Sequence, residues 1–228
     1  IQHAHQKAII HRDLKPSNLL VAIQDGRPVP NIIDFGVAKA LSQPLTEKTM
    51  FTELGQMIGT PAYMSPEQAE MSGLNVDTRT DVYSLGVLLD QLLVGALPSD
   101  AKALRSAGYT EMLRVLRDEQ PPRPSTRFDS LSESSQITAE NRRTEPSRLK
   151  SVLGGDLDWV VMKAIEKDRN RRYDTANGLA MDIRRFLANE PVVAGPPSTT
   201  YRAKKFVQRH RAGVIGASLL ALMLIAFG

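Results

Sequence analysis

Three side chains within residues 11–18 (HRDLKPSN) could act together on a phosphate group. Asp13 could orient a hydroxyl, Lys15 could hold a phosphate by its charge, and Asn18 could bind a metal ion through its amide oxygen. Asp34 follows 21 positions after Asp13, and its carboxylate could complete the metal site. The chemistry that these residue types and spacings support is phosphoryl transfer to a hydroxyl, with a metal ion on the phosphates.

The sequence around these residues predicts a β-hairpin that would bring them together. Residues 19–23 and 29–33 are apolar runs, and Asp25-Gly26 between them is typical of a tight hairpin turn. The hairpin would place the candidate metal ligands near one another at its open end. A further short strand is predicted at Ile9-Ile10, leading into the loop.

Beyond residue 60 the sequence favours helices. Residues 81–94 are apolar on most sides, which predicts a buried central helix that ends at Gly95. Further helices are predicted at 100–119 with a break at Gly108, at 157–167 and at 175–187. Residues 125–151 are rich in Ser, Arg and Glu and are interpreted as a flexible insertion. The predicted fold class is therefore mainly α, with short β-hairpins at the candidate site.

The composition is ordinary for one globular domain, with 42% hydrophobic and 24% charged residues. There is no cysteine, which excludes disulfides, thiolate metal sites and a cysteine nucleophile. Of the 29 Lys and Arg residues, five lie in residues 201–211, which leaves 24 against 25 acidic residues elsewhere. Because the excess positive charge is confined to one short segment without the spread expected of a binding face, we expect no nucleic-acid partner.

Four motifs, in a fixed order, resemble those of the eukaryotic-like (Hanks-type) Ser/Thr protein kinases of bacteria. They are HRDLKPSN at 11–18, DFG at 34–36, GTPAYMSPE at 59–67 and DVYSLG at 81–86. The resemblance runs over residues 1–190 and implies the C-terminal lobe of a protein kinase. It implies an enzyme that transfers the γ-phosphate of ATP, with Mg²⁺, to Ser or Thr of protein substrates in signalling.

The resemblance also implies roles for the residues of the candidate site. Asp13 would be the catalytic base and Lys15 would contact the transferring phosphate, so both would be catalytic. Asn18 and Asp34 would bind magnesium, and together with Lys15 they would hold ATP. Lys15 and Thr60 are typical of the Ser/Thr class, because the Thr60 hydroxyl would tie the substrate-facing loop to Asp13 and Lys15.

Other residues would support this site. Glu67 and Arg172 would form a buried ion pair, and Asp81 would anchor the backbone of the catalytic loop. Arg12 would hold a phosphate on the polar loop of residues 37–58, which has the position of an activation loop; a solvated surface Arg is the alternative. The candidate phosphorylation sites in this loop are Thr46, Thr49 and Thr52.

We expect three segments along the chain. Residues 1–190 would be a partial kinase domain, because no Gly-rich loop, strand lysine or helix glutamate precedes the catalytic loop. We therefore expect the ATP-covering N-lobe to be missing and the 228 residues alone to be inactive. Residues 191–211 would be a Pro-rich and basic juxtamembrane linker between the domain and a membrane anchor.

Residues 212–228 contain no charged residue and would begin a transmembrane helix. The basic residues lie on one side of this run, which favours a single-pass protein with its kinase lobe in the cytoplasm. A buried C-terminal helix is the alternative reading of this run. For the whole chain, a pseudokinase or scaffold that only binds partners is the competing interpretation.

Overall fold

The structure, a computed structural model, describes residues 1–35, 61–70, 76–100, 104, 106, 108–211, 213, 216, 223 and 225. Within these residues, helices predominate and two strands form one antiparallel hairpin. The mainly α-helical class predicted from the sequence is confirmed.

The hairpin consists of β1 (Leu19–Gln24) and β2 (Arg27–Ile32). Its register runs from Leu19 opposite Ile32 to Gln24 opposite Arg27, so Asp25 and Gly26 form the two-residue turn. Both turn residues have positive φ, 50° and 74°, as tight hairpin turns of this kind require. The predicted hairpin is therefore confirmed.

The predicted strand at Ile9-Ile10 is wrong. Residues 9 and 10 have no strand partner among the residues that the structure covers. Instead, the Ile9 amide donates to the Ala4 carbonyl at 2.9 Å and closes the end of the first helix. Hairpins were expected at both the catalytic loop and the DFG segment, and the described part of the chain contains a single one.

The helices, in chain order, are α1 (Gln2–Gln6), α2 (Pro66–Ala69), α3 (Thr78–Val94), α4 (Tyr109–Asp118), α5 (Pro124–Ser130), α6 (Ser132–Asn141), α7 (Pro146–Val152), α8 (Asp158–Ala164), α9 (Ala176–Leu187) and α10 (Thr199–Arg209). Short 3₁₀ turns lie at Pro16–Asn18, Pro61–Tyr63 and Arg169–Arg171.

Helix α3 is the predicted central helix, although it begins earlier than expected, at Thr78. The Asp77 carboxylate caps its first turn by accepting from the Arg79 amide at 2.8 Å. Gly95 ends it with φ of 84°, the left-handed conformation that glycine adopts without strain. Gly86 lets α8 approach closely, since a Cβ there would lie 2.7 Å from the Ala164 side chain.

The interpretation of residues 125–151 as a flexible insertion is wrong, because the segment forms α5, α6 and α7. Its composition is polar, but a few apolar side chains anchor it: Phe128 and Leu149 are 2% and 6% exposed and pack with Val94 at the end of α3. Buried anchors spaced along a polar segment are sufficient to fix short helices on a core.

The insertion also caps the end of the central helix. Arg142 donates to the Leu93 carbonyl at 2.6 Å, and just beyond the helix Arg127 donates to the Ala96 carbonyl at 2.9 Å. The Thr138 hydroxyl lies 3.4 Å from the Val94 carbonyl. The last carbonyls of a helix lack partners within the helix, and cations are favourable there, so these contacts stabilise the C-terminal turn of α3.

The Pro-rich segment after α9, which was predicted to begin a juxtamembrane linker, contacts the helical core. Val192 is 4% exposed, and the amides of Val193 and Ala194 donate to the Asp182 carboxylate at 2.8 and 2.9 Å. No helix among the described residues is both long and apolar enough to cross a membrane. Most of the run predicted to span one, residues 212–228, lies outside them.

Candidate active site

The catalytic loop holds the Asp13 carboxylate between two donors from the same loop. The Lys15 ammonium donates to Asp13 Oδ2 at 2.6 Å, and the Asn18 amide donates to the same oxygen at 3.1 Å. Asn18 also donates to the Asp13 backbone carbonyl at 2.8 Å, from a 3₁₀ turn that begins at Pro16. The three residues singled out by their spacing therefore lie in direct contact.

Asp81, at the start of the buried helix α3, fixes the backbone of this loop. Its two carboxylate oxygens accept from the amides of His11 and Arg12, each at 2.8 Å. The side chain of Asp81 is fully buried, and His5 Nε2 lies 2.7 Å from the oxygen that binds the His11 amide. Arg12 has a positive φ of 68°, so these hydrogen bonds hold a conformation that is unfavourable for its residue type.

Asp34 lies directly beyond β2, and the hairpin brings it next to the catalytic loop. The Ile33 amide donates to the Asn18 carbonyl at 3.0 Å, and His11 Nε2 lies 3.0 Å from the Ile33 carbonyl. The rings of His11 and Phe35 are in contact, with centroids 4.6 Å apart. Asn18 and Asp34 are thus held at neighbouring positions on one side of the loop.

These two residues fit a magnesium ion that is also bound by phosphates. The Asn18 amide nitrogen is engaged by Asp13, which leaves its oxygen as the atom that can bind a metal. No group of three or more His, Cys, Asp or Glu able to hold a metal occurs in the described part of the chain. Magnesium is commonly held by one or two protein oxygens together with waters and substrate phosphates, and the side chains of Asn18 and Asp34 could supply such oxygens.

Glu67 and Arg172 form a two-pronged ion pair across 105 positions, with N···O distances of 2.7 and 2.8 Å. Thr80 donates a third hydrogen bond to Glu67 at 2.8 Å. Burial alone would raise the pKa of Glu67, but the hydrogen bonds and charge of Arg172 outweigh it, and the pKa is lowered. The pair joins α2 to the chain just before α9.

Sequence reasoning missed two residues that support the loop, His5 and Gln68. Gln68 donates to the Arg12 carbonyl at 2.6 Å and also closes a capping box with Ser65. The S-x-x-Q pattern, with Ser65 immediately before a helix that begins at Pro66, is a sequence signal that could have identified Gln68. His5 carries no such signal, because its contact with Asp81 depends on how α1 packs against α3.

Several predicted site residues lie outside the described residues: Gly36, Thr46, Thr49, Thr52 and Thr60. Arg12, the predicted phosphate ligand, is described. Its Nε atom is buried and has no hydrogen-bond partner within the described residues.

The protein kinase domain family matches residues 1–181, and the chain belongs to this family. It is 33% identical over 191 residues to the serine/threonine-protein kinase PknB of Mycobacterium leprae, covering 84% of this chain and 25% of that one. It is 38% identical over 174 residues to the serine/threonine-protein kinase Pkn1 of Myxococcus xanthus, covering 76% and 20% respectively. The chain thus spans a quarter or less of the length of these relatives.

The crystal structure of the Mycobacterium tuberculosis PknI kinase domain is also similar to this chain. The sequence identity is 22% and the TM-score is 0.47, over 81% of this chain and 50% of that one.

Proposed function

We propose that this chain provides the catalytic-loop lobe of a protein kinase that transfers the γ-phosphate of ATP to Ser or Thr of protein substrates. The observation that carries the proposal is the orientation of the Asp13 carboxylate. Lys15 and Asn18 both bond to its Oδ2, and Oδ1, which none of the described residues engages, could accept the proton of a substrate hydroxyl. A carboxylate that a neighbouring lysine orients in this way can accept a proton while the lysine contacts the phosphate that is transferred.

The chain's own residues would divide the remaining work. Lys15 carries a positive charge beside Asp13, where it can contact the transferred phosphate, and it is only 22% exposed. Asn18 and Asp34 would hold magnesium, which neutralises the charge that develops on the phosphate oxygens. Asp81 keeps the loop in place through the two amides that it binds.

We propose that a second, ATP-covering lobe completes the enzyme and rests on the β1–β2 hairpin. Val21 and Ile23, which lie two positions apart on one face of β1, are 65% and 69% exposed, which is unusual for neighbouring large apolar residues. Such a surface favours contact with another part of the enzyme. Without that lobe, the α- and β-phosphates of ATP would have no ligands beyond the catalytic loop, and we expect the 228 residues alone to be inactive.

The test compares Asp13→Asn with the unaltered sequence in the longest natural form of the protein. Asp13→Asn should abolish transfer of labelled γ-phosphate to Ser and Thr of a general protein substrate and retain nucleotide binding. Asp129→Asn is the matched control, because Asp129 is an exposed carboxylate paired with Lys150. Near-normal turnover by Asp13→Asn would show that Asp13 is not the base, and absence of phosphate transfer by the unaltered protein would favour the scaffold interpretation.

A second proposal concerns regulation by Thr46, Thr49 and Thr52. Phosphorylation of one or more would add a charge of about −1.5 to −2 that pairs with Arg12 and orders the loop. The Nε atom of Arg12 is buried and has no hydrogen-bond partner among the described residues, which supports this role, since an oxyanion would satisfy it. Mass spectrometry of the active enzyme should find a phosphate on at least one of the three threonines; finding all three unmodified contradicts the proposal.

We also propose that residues 212–228 begin a single membrane span, with the kinase lobe in the cytoplasm. The support is the sequence: this run has no charged residue and follows five basic ones. A reporter fused before Arg202 should fractionate with membranes and resist external protease. A soluble reporter would contradict the anchor, and a protease-sensitive one would contradict its orientation.

A further inference from the structure

Helix α10 presents one narrow side to the kinase lobe. The residues on that side, Tyr201, Lys205 and Gln208, are partly covered, whereas the other residues from 202 to 210 are exposed. The Tyr201 hydroxyl donates to Asp156 Oδ1 at 3.0 Å, and the Lys205 ammonium pairs with the same carboxylate. Trp159 packs edge-on against the Tyr201 ring, with centroids 5.3 Å apart. These contacts therefore fix the orientation of α10 about its own axis relative to the lobe.

The opposite side of α10 is an apolar strip that faces solvent. At 3.6 residues per turn, Ala203, Phe206 and Val207 lie on the side away from Tyr201 and Lys205, and the ring of His210, at the end of the helix, packs against Phe206 with centroids 4.7 Å apart. Phe206 is 60% exposed and Val207 is 46% exposed, and no core cluster of the lobe includes either of them.

Basic residues border this strip on both edges. The same helical geometry places Arg202 and Arg209 along one edge and Lys204 along the other, and Arg211 follows just beyond the end of the helix. Residues 199–211 contain no acidic side chain. Arg209 pairs with Glu190 at 2.9 Å, whereas Arg202 and Lys204 form no ion pair with the described residues.

We propose that this outward face of α10 binds the surface of an anionic phospholipid bilayer. An apolar centre with cationic edges is the arrangement of a helix that lies in the membrane interface, with its apolar residues among the acyl chains and its cations at the headgroups. A nucleic-acid surface would favour cations at the centre of the face, where this helix has Phe206. The bilayer is therefore the partner that the charge and the apolar strip fit together.

The proposal is independent of phosphoryl transfer and of a membrane span at residues 212–228. A span alone would hold the lobe near the bilayer on a loose connection. Contact through α10 would fix which side of the lobe faces the bilayer, because Tyr201 and Lys205 attach the helix to the lobe through Asp156.

The absence of cysteine makes a direct test possible. The full chain carrying Ala203→Cys is labelled with an environment-sensitive dye and mixed with vesicles of 30% phosphatidylglycerol in phosphatidylcholine, or of phosphatidylcholine alone. We expect a blue shift of the dye emission and quenching by shallow brominated lipids with the anionic vesicles only. The same dye at Ser134→Cys, on the insertion, should stay in water, and at Ser218→Cys it reports the proposed span separately.

Two variants of the labelled chain sharpen the test. Phe206→Ser with Val207→Ser should abolish the blue shift at position 203, whereas Ile137→Ser, an exposed apolar residue on α6, should leave it unchanged. Replacing Arg202 and Lys204 by Gln should lower the ratio of bound to unbound α10 about fivefold for each charge removed. Far-ultraviolet circular dichroism checks that each variant is folded.

Three results would overturn the proposal. One is a dye at position 203 that stays in water in the presence of anionic vesicles, whether or not the chain binds to them. Another is an equal blue shift with neutral and anionic vesicles. The third is salt-sensitive binding of single-stranded DNA that involves Arg202 and Lys204 without any lipid-dependent blue shift.

Discussion

Arg127 donates a 2.6 Å hydrogen bond to Asp90, and the two side chains are only 8% and 1% exposed. Asp90 belongs to the central helix α3, and Arg127 belongs to the insertion. Burial raises the pKa of Asp90 to about 6, although the hydrogen bond and charge of Arg127 act to lower it. The insertion is thus joined to the core by a charge pair that is costly to bury.

The first prediction concerns the pH dependence that Asp90 confers. Folding raises its pKa from 3.8 to about 6, so its favourable contribution is complete below pH 4 and is lost as the pH rises through 6. Relative to Asp90→Asn, the unfolding free energy of the unaltered chain should fall by roughly 2–3 kcal/mol between pH 4 and pH 7. Urea unfolding followed by the fluorescence of Trp159 measures it, with Asp129→Asn as the exposed control.

The same pair predicts an asymmetry between its two partners. Arg127→Met should cost about 3–5 kcal/mol at pH 7, because Asp90 is left buried and unpaired. Its cost should shrink at pH 5, where the unpaired Asp90 takes up a proton. A cost of Arg127→Met that does not change between pH 5 and pH 7 would show that the loss arises from packing and not from the charge of Asp90.

The second prediction concerns Glu67 and Arg172, whose pH dependence has the opposite sign. The pKa of Glu67 is lowered, so its contribution is present above its usual pKa of 4.5 and is lost as the pH falls through the lowered value. Arg172→Met should cost about 3–5 kcal/mol at pH 7. The double change with Glu67→Gln should cost less than the sum of the two single changes, and additive costs would mean that the pair is not coupled.

The third prediction concerns the close approach of α3 and α8 at Gly86. A Cβ at this position would lie 2.7 and 2.8 Å from side-chain carbons of Ala164 and Ile165, both in the core. Gly86→Ala should therefore destabilise the chain by about 1–3 kcal/mol. Gly108→Ala is the matched control, since a Cβ at Gly108 meets nothing within 4 Å. Equal effects of the two changes on urea unfolding would contradict the packing argument.

The fourth prediction concerns Asp81 and the catalytic loop. In Asp81→Asn, one carboxylate oxygen becomes an NH₂ group that cannot accept from the amide of His11 or Arg12. We expect faster hydrogen exchange of these two amides, and a fall in phosphate transfer of about tenfold or more in the complete enzyme. Gln24→Glu, at the far end of the hairpin, serves as a control. Unchanged hydrogen exchange at both amides would show that Asp81 does not hold the loop in place.

Local signals made part of the fold predictable. Asp25-Gly26 identified the hairpin turn, and Gly95 identified the end of α3, because each acts within a few residues. A helix was likewise predicted at residues 157–167, and α8 lies within that range. In contrast, the strand at Ile9-Ile10 was predicted from composition alone, and the chain there bonds to α1 instead.

Long-range contacts account for what was missed. The insertion was predicted to be flexible because few of its residues are apolar. The burial of Arg127 depends on its ion pair with Asp90, which lies 37 positions earlier and cannot be recognised from the local sequence. The attachment of Tyr201 to Asp156 spans 45 positions and has no local pattern. At the site, spacing brought Asp13, Lys15 and Asn18 together, whereas the partnership of Glu67 and Arg172 came only from the resemblance to the kinase family.

The contacts that the insertion makes with carbonyls at and just beyond the end of α3 bear on the order of folding. Their partners Arg127, Thr138 and Arg142 lie 31, 44 and 49 positions further along the chain. During synthesis the last turn of α3 therefore emerges long before the groups that complete it, and it must stay frayed or solvated until they arrive. Once they have arrived, helix end and insertion should open and close as one cooperative unit, which native-state hydrogen exchange would report as a single shared opening free energy.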